Sequence, residues 1–361
     1  FIYRSFIQEN FTLIRNRLGL MKHFKLIYFS KKEKIQLNIS KIKNTEILSN
    51  DDFGVERASK IIKSGGLVAL PTETVYGLGA DATNPKAIDL IYRTKGRPSI
   101  NPLIIHVYEN KDVFEIADKN EIAQDLSSKF WPGPLTLILN KKNNTKLKLA
   151  KNALAGLSTL AVRVPAHPVF RNLLKKCKLP IACPSANFSG KLTSTRFEDV
   201  LSSFSGKIDA IIDGGPCPIG VESTIIKIEN QNLSILRPGK ITEEDLLQNN
   251  YSLQKNKNNE NIIAPGQLRS HYRPNTSLRL NVKKPKKNEL LLSFGPLPKG
   301  VTGISLSEVF DLNEAAMNLY SSLADLDELA LINQNKSIAI NTIPNIGIGI
   351  AINDRLRRAS S

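Results

Sequence analysis

The sequence predicts an α/β protein in which a large α/β domain precedes a second, smaller α/β unit. Its 361 residues correspond to about two domains at roughly 100–200 residues each. Between residues 51 and 240, short apolar runs typical of buried strands alternate with amphipathic helix patterns. A polar stretch at residues 241–284, predicted to be a linker, leads to a strand–helix–strand alternation at residues 285–361.

The large domain is expected to begin with a helix at residues 55–62 and a strand at residues 67–70, which stops at Pro71. Further helices are predicted at residues 87–92, 122–130 and 168–176, and further strands at residues 103–107, 135–139, 161–164, 181–182, 208–212 and 224–228. The small unit is expected to hold a strand at residues 290–294, a helix at residues 313–331 and a strand at residues 337–341.

The composition excludes several classes of protein. Hydrophobic residues make up 41% and charged residues 23% of the chain, as in an ordinary soluble protein. No apolar run approaches the ~20 residues of a membrane helix, and the N-terminus lacks the apolar core of a signal peptide. Three cysteines (Cys177, Cys183 and Cys217) without a C-x-x-C pair favour a reducing compartment, so a cytoplasmic location is expected.

The net charge of +17 favours anionic partners such as a nucleotide, a phosphate or RNA. General richness in lysine explains the charge equally well, and both interpretations stay open. Residues 1–50 carry ten basic and three acidic residues and are predicted to be a basic, disordered extension. A nucleic-acid-binding arm and a wrongly assigned start, with Met21 as the true one, are both compatible with this leader.

Common nucleotide signatures are absent or weak. The sequence has no G-x-x-x-x-G-K-[ST] loop and no G-x-S-x-G elbow. The pattern Gly77-x-Gly79-x-x-Ala82 follows a strand, but the polar segment before it argues against a dinucleotide-binding turn.

Small polar residues and single arginines instead cluster near the ends of predicted strands, where open α/β sheets bind ligands. Lys95 and Arg97 suit a polyphosphate, because lysine supplies a point charge and arginine a fork of donors. Taken alone, this pair equally describes a solvated basic turn. Arg163 ends an apolar strand and so needs an anionic partner. The hydroxyls and amides of residues 184–190 are able to surround phosphate oxygens.

Eight motifs in order resemble the threonylcarbamoyl-AMP synthase family, in its longer form with a YrdC-type catalytic domain and a C-terminal domain. The matching segments are PTETVYGLGA, KGRPSINPLIIHV, WPGPLTLIL, RVPAHP, PSANFSG, GVESTI, LRPGKIT and APGQLRSHYRP. The closing GIGIAINDRLRRAS also resembles that form. The resemblance runs from about residue 51 to the end. It implies a twisted mixed sheet with a basic groove, followed by a small Rossmann-like domain.

The resemblance implies an enzyme that makes threonylcarbamoyl-AMP and pyrophosphate from L-threonine, bicarbonate and ATP. Mg²⁺ is expected on the triphosphate, held by phosphates and water, with no tightly bound cofactor and no protein metal site. Glu73 and Glu222 are the nearest acidic side chains, and structural hydrogen bonding is expected for both. A transferase complex that modifies tRNA is the implied partner, together with weak tRNA binding and no membrane contact.

Site residues follow from the resemblance by motif position. The implied catalytic residues are Lys95, Arg97, Ser185 and Asn187. The implied ATP-binding residues are Arg97, Asn101, Thr159, Ser185, Thr193, Arg237 and Tyr272. The implied L-threonine-binding residues are Thr74, His106, Arg163, Cys183 and Ser223. Arg163 is the expected partner of the threonine carboxylate, and Tyr272 is expected in a cover over the nucleotide.

Two departures from the family pattern stand out. The residue at position 183 is a cysteine, which argues against a side-chain role there. The residue types at positions 267–270 differ from those usual in the cover segment of the family. The main alternative is a double-stranded RNA- or tRNA-binding protein without catalysis. The single tryptophan argues against it, because stacking on RNA needs exposed aromatic residues. A relative of the hydrogenase-maturation enzymes is not supported, because this chain lacks their cysteine pattern. An inactive homologue is not supported either, because the motif residues are intact: Lys95, Arg97, Ser185 and Asn187.

Overall fold

The computed structural model describes residues 44–229, 231–254, 264–266 and 271–361. The predicted basic extension therefore lies outside the described residues except for its last seven positions, and so does the unusual segment 267–270. All described residues belong to one compact unit that runs from residue 43 to the C-terminus. Within the described residues, no helix combines the length and the apolar character that crossing a membrane requires.

A ten-stranded mixed sheet forms the large domain, with the strand order β1-β8-β2-β3-β7-β4-β6-β5-β9-β10. The strands are β1 (Glu46–Leu48), β2 (Val68–Leu70), β3 (Gly77–Asp81), β4 (Ile104–His106), β5 (Leu135–Asn140), β6 (Thr159–Arg163), β7 (Ile181–Ala182), β8 (Ala210–Ile212), β9 (Thr224–Glu229) and β10 (Asn232–Arg237). Parallel pairs, such as β4 with β6, alternate with antiparallel pairs, such as β5 with β6. The predicted mixed α/β fold is confirmed.

Seven helices of the described residues accompany this sheet: α1 (Asp52–Lys63), α2 (Pro85–Lys95), α3 (Asn110–Ile116), α4 (Glu121–Phe130), α5 (Pro168–Cys177), α6 (Phe197–Phe204) and α7 (Glu243–Gln248). Asn84 caps α2 by accepting hydrogen bonds from the amides of Lys86 and Ala87. Gly96 ends the same helix in the left-handed region, at φ 60°. This stop places Arg97 in the loop beyond the helix, where its side chain turns toward the sheet.

The small domain contains a four-stranded parallel sheet in the order β11-β14-β12-β13. Its elements are β11 (Ser277–Arg279), β12 (Glu289–Ser293), β13 (Gly303–Ser305), α8 (Leu312–Asn333), β14 (Ser337–Ile340) and α9 (Gly349–Ala359). Parallel strands need crossover connections, and α8 supplies the one between β13 and β14. The predicted second α/β domain is confirmed.

Five strands depart from the sequence-based expectations: β1, β3, β10, β11 and β13. β1 lies inside the region predicted as an extension and pairs with β8, while β11 lies inside the predicted linker and pairs with β14. Both have only three residues, which is too short for a hydrophobic pattern. β3 begins at Gly77, where the sequence pattern predicts no strand. Glycine is required there because a Cβ on Gly77 would lie 2.3 Å from Cys183 Sγ.

The two domains are joined through a loop at residues 219–223, which we name the bridging loop. Val221 is fully buried in the apolar core of the small domain, although it precedes β9 of the large sheet. Gly220 has φ +82°, and a Cβ there would lie 2.2 Å from the carbonyl oxygen of Ala316 in α8. The bridging loop therefore packs directly on the backbone of α8.

Replacing Gly220 by alanine is expected to lower the free energy of unfolding by about 2–5 kcal/mol. The left-handed conformation costs about 1–2 kcal/mol, and overpacking against α8 adds about 1–3 kcal/mol. Gly215→Ala is the matched control, because Gly215 has φ +74° but a Cβ on it would meet no atom within 4 Å. Denaturant unfolding of both variants measures the difference, and equal losses would contradict the close packing on α8.

Candidate active site

A cationic cavity of about 40 Å³ lies against the large sheet, beneath residues that connect the two domains. It is lined by Thr72, Thr74, Val75, Gly77, Arg97, Ile104, His106, Arg163, Cys183, Pro184, Ser185, Glu222, Ser223, Arg237, Pro265, Gly266, His271 and Tyr272. Nine of the predicted site residues are in this set: Thr74, Arg97, His106, Arg163, Cys183, Ser185, Ser223, Arg237 and Tyr272. Three separate motifs thus bring arginines to one cavity.

Arg97 is oriented by the loop that follows α2. Its Nη2 donates to Asn101 Oδ1 at 2.6 Å and to the Pro102 carbonyl at 2.8 Å, and its Nε donates to the Asn101 carbonyl at 3.0 Å. Burial lowers the pKa of the guanidinium to about 10, so it stays charged at neutral pH. Asn101 does not line the cavity itself; it contributes by holding Arg97.

Lys95 lies beneath the turn at residues 185–187 rather than on the cavity surface. It is only 2% exposed, and its Nζ donates to the carbonyls of Ser185, at 2.6 Å, and Asn187. Burial and the neighbouring Arg97 charge hold the pKa of this amine well below its usual value. Ser185 Oγ in turn donates to Asn187 Oδ1 at 2.5 Å. Lys95 and Asn187 therefore support the turn, and Ser185 presents its hydroxyl at the cavity.

Arg163 at the end of β6 is held by residues of the β2–β3 connection. Its Nη2 donates to Glu73 Oε1 at 2.5 Å, its Nη1 to Thr74 Oγ1 at 3.1 Å, and its Nε to the Gly133 carbonyl at 3.1 Å. Burial would raise the pKa of Glu73, but the Arg163 charge outweighs it and lowers the pKa. These contacts use three of the five guanidinium N–H groups, which leaves two for a ligand carboxylate.

Ser223 and Arg237 form another part of the cavity wall, at the start of β9 and the end of β10. The Arg237 guanidinium donates twice to the Ser223 carbonyl, at 2.9 and 3.0 Å, and once to Ser223 Oγ at 3.0 Å. Ser223 Oγ also lies 2.7 Å from Thr136 Oγ1 of β5. The position of Arg237 therefore depends on the backbone immediately before β9.

Glu222 places a buried carboxylate beside these residues, at 5% exposure. Thr193 Oγ1 donates to it at 2.8 Å, Tyr320 Oη at 3.1 Å and Arg355 Nε at 2.8 Å. Burial would raise its pKa, but Arg355 and Arg237 outweigh burial and lower the pKa to about 2. Thr193 thus acts on the cavity through Glu222 and does not line it.

The lowered pKa of Glu222 predicts an acid-sensitive contribution to stability. Because the unfolded state binds the proton first, stability is lost as the pH falls from about 4.5 to about 2. At 1.36 kcal/mol per pKa unit, this loss is about 3 kcal/mol. Urea unfolding at a series of pH values should show a flatter acid limb for Glu222→Gln than for the exposed control Glu243→Gln. Identical acid limbs would contradict the assignment.

Two histidines and a tyrosine complete the walls. Burial lowers the pKa of His271 to about 3 and holds that of His106 well below its usual value, so both imidazoles are neutral. Tyr272 is 1% exposed and has φ 65°. Its hydroxyl lies beside Gly266, because a Cβ on that glycine would lie 3.4 Å from the hydroxyl oxygen. All three residues line the cavity, and His271 and Tyr272 belong to the segment that the sequence predicts as its cover.

The cover is anchored to the small domain. Asp327 of α8 accepts hydrogen bonds from the amides of Asn275, at 2.9 Å, and Thr276, at 2.7 Å. Both amides lie just beyond Tyr272. Asp327 is 7% and Thr276 8% exposed, so the loss of the second bond would leave the buried Thr276 amide without its partner.

Thr159 is not brought to the cavity, contrary to the sequence-based assignment to the nucleotide site. It begins β6, whereas Arg163 ends that strand. At about 3.3 Å per residue, the two lie about 13 Å apart. Thr159 instead borders a surface depression together with Asp118 and Lys227. Thr159 and Arg163 belong to the same strand, but the apolar periodicity of a strand does not show which of its ends faces the cavity.

Cys183 contributes its side chain to the cavity wall, facing Gly77. Burial raises the pKa of its thiol to about 12, so the thiol is neutral and no nucleophilic role follows. All three cysteines are free and buried.

Sequence reasoning did not single out Tyr320 and Arg355, both from the small domain. Arg355 lies within the closing motif, which is the only sequence signal that could have found it. Glu73 and Glu222 both form ion pairs, which confirms the expectation of structural hydrogen bonding. Among the residues that the structure describes, no group of three or more histidine, cysteine, aspartate or glutamate side chains could hold a metal ion.

The fold and the cavity define the class of this protein: an α/β domain with a large mixed sheet and an arginine-lined cavity, followed by a second, parallel-sheet domain. Residues 60–239 match a family model for Sua5, YciO and YrdC described as "Telomere recombination", and residues 236–361 match "Threonylcarbamoyl-AMP synthase, C-terminal domain". The chain belongs to the threonylcarbamoyl-AMP synthase family.

Similar proteins cover nearly the whole of both domains. The threonylcarbamoyl-AMP synthase of Bacillus subtilis is 36% identical over 340 residues, which cover 88% of this chain and 95% of the relative. That of Pyrococcus abyssi is 37% identical over 331 residues, covering 86% and 95%. The crystal structure of P. abyssi Sua5 complexed with L-threonine superposes with a TM-score of 0.78 at 33% identity, covering 88% of this chain and 98% of that one.

Proposed function

We propose that this protein is an L-threonylcarbamoyladenylate synthase, which converts L-threonine, bicarbonate and ATP into threonylcarbamoyl-AMP and pyrophosphate. The observation that carries the proposal is the convergence of Arg97, Arg163 and Arg237 on one cavity in a chain of this family. Separate cationic groups match a reaction that joins a carboxylate-bearing amino acid to a triphosphate.

Threonine is proposed to bind at the Arg163 side of the cavity. Its carboxylate would pair with the remaining N–H groups of Arg163, whose orientation Glu73 and Thr74 already hold. The neutral His106 and Cys183 line the same wall and suit the uncharged part of an amino acid. This wall has no charged nucleophile, which agrees with a reaction without a covalent enzyme intermediate.

The proposed reaction has two steps. The threonine amine attacks bicarbonate, so that an N–C bond forms, water leaves and a carbamate results. A carbamate oxygen then attacks the α-phosphorus of ATP, and the bond to the β-phosphate oxygen breaks to release pyrophosphate. Positioning and charge neutralisation supply the rate enhancement. Arg97 and the turn at Ser185 would face the phosphates, where Arg97 is held by Asn101 and the turn by Lys95.

Mg²⁺ is proposed to enter as part of the substrate MgATP. The two carboxylates of the cavity region, Glu73 and Glu222, are already paired with arginines, so neither is an available ligand. Mg²⁺ keeps several waters and binds phosphate oxygens readily. The triphosphate and water would therefore hold the ion.

Gly266 and Tyr272 line the cavity, and the cover that they belong to is proposed to move outward when ATP enters. The product, a mixed anhydride, hydrolyses readily in water, so a closed cover over it would protect it until release.

The destination of the product is proposed to be an adenosine of tRNA, through a transferase complex in the cytoplasm. The basic net charge of +17 would favour weak contact with tRNA. Three free thiols suit a reducing compartment.

Pyrophosphate release by the purified protein tests the proposed function. The reaction contains MgATP alone, with L-threonine, with bicarbonate, or with both. Release is expected only when both are present, because the carbamate needs both to form. Release without threonine dependence would overturn the proposal. RNA binding across a salt series would then test the alternative, since binding through phosphates weakens steeply with salt.

A further inference from the structure

The bridging loop connects the proposed active site to the small domain by direct packing contacts. Val221 fills the small domain's core, and Gly220 lies on the backbone of α8. Ser223, whose carbonyl accepts hydrogen bonds from Arg237, lies two residues after Val221. The cavity wall is therefore built on a surface that the small domain supplies.

Arg355 of α9 contacts this wall at two points. Its side chain is 1% exposed. Nε donates to Glu222 Oε2 at 2.8 Å, and Nη2 donates to the Pro238 carbonyl at 3.0 Å. Glu222 precedes Ser223, and Pro238 follows Arg237. The Arg355 guanidinium thus holds both backbone segments next to Ser223 and Arg237.

The same guanidinium also touches the cover. It lies 5.5 Å from the centre of the Tyr272 ring, within the range of cation–π attraction. Its Nη1 donates to Asp354 Oδ2 at 2.9 Å, which fixes the plane of the group. Tyr320 of α8 adds a hydroxyl to the Glu222 carboxylate at 3.1 Å.

We infer that Arg355 is a positioning residue of the active site, through which the small domain fixes Ser223 and Arg237 for the nucleotide. This inference rests on the proposed function for the identity of the ligand. In this inference, the small domain contributes directly to the geometry of the active site. A guanidinium is needed, because its planar fork reaches Glu222, Pro238 and Asp354 at once, whereas a lysine amine is a single point charge.

Kinetics of full-length Arg355→Lys test this inference. Lysine keeps the charge beside Glu222, so the variant avoids an unpaired buried carboxylate. The KM for ATP is expected to rise at least about tenfold, while kcat changes less than about threefold, because ground-state positioning is lost. Tyr320→Phe, a milder change, should raise the KM for ATP in the same direction.

Arg357→Lys is the matched control. Arg357 lies on the same helix and pairs with the same Asp354, at 2.8 Å, but is 72% exposed. It should keep the wild-type KM. A purely structural role of Arg355 would reduce the folded fraction and leave the KM for ATP unchanged. Equal KM values for Arg355→Lys and Arg357→Lys would therefore overturn the inference.

Hydrogen exchange separates this inference from the proposed function. Backbone amides of residues 222–224 and of Arg237 and Gly239 should exchange faster in Arg355→Lys than in Arg357→Lys; Pro238 between them has no amide hydrogen. If the wild type shows no threonine-dependent pyrophosphate release, the proposed function fails, and faster exchange would still support the positioning role. Unchanged exchange at both segments would overturn it.

Discussion

Arg97→Ala is expected to lower kcat/KM for threonine-dependent pyrophosphate release by about 100- to 1,000-fold, as for the loss of one preorganised charge at a reacting centre. The side chain is held by three hydrogen bonds from the loop after α2, so its charge is in place before ATP arrives. This effect corresponds to about 3–4 kcal/mol of transition-state stabilisation.

Arg93→Ala is the control for this experiment. Arg93 lies in the last turn of the same helix but is exposed, so its loss changes the local charge by the same amount without altering the cavity. The control should retain near wild-type kinetics. A loss below about tenfold in Arg97→Ala, or about 1.4 kcal/mol, would contradict the role in phosphate neutralisation.

Arg163→Met is expected to abolish saturation by L-threonine and to lower the free energy of unfolding by about 3–5 kcal/mol. The loss of stability arises because Glu73 is left buried without its partner, at 7% exposure. The loss of saturation arises because the threonine carboxylate loses its cation. Threonine titrations and denaturant unfolding measure the two effects separately.

The double variant Glu73→Gln/Arg163→Met separates stability from binding. Removing both charges avoids the uncompensated carboxylate, so most of the stability should return. Threonine saturation should not return, because no cation is left for the carboxylate. Recovery of threonine binding in the double variant would contradict the assignment of Arg163.

The mixed α/β class and most of the long elements could be predicted from the sequence, because strong apolar periodicity marks them. The helix predicted at residues 313–331 corresponds to α8, and the strand predicted at residues 135–139 corresponds to β5. β3 could not be predicted, because Gly77 and Gly79 lack the β-branched side chains that indicate strands. Their small size is explained only by the packing of Cys183 and Leu70 against them.

The site could be predicted in part. Motif positions identified the arginines of the cavity, since each follows or ends a strand. They could not distinguish residues that face the cavity from those that hold them. Lys95 and Asn187 match the catalytic motif positions, but Lys95 lies beneath the turn at residues 185–187, and neither residue lines the cavity. Tyr320 and Arg355 reach the site across a domain interface, and no local pattern reports such a contact.

The fate of carbon from labelled bicarbonate tests the proposed chemistry most directly. With wild-type protein, MgATP and L-threonine, the label is expected in a nucleotide product that also contains threonine, formed in step with pyrophosphate. Arg97→Ala should form this product far more slowly, whereas Arg93→Ala should match the wild type. Pyrophosphate release without labelled carbon in a threonine-containing nucleotide would contradict the proposed chemistry.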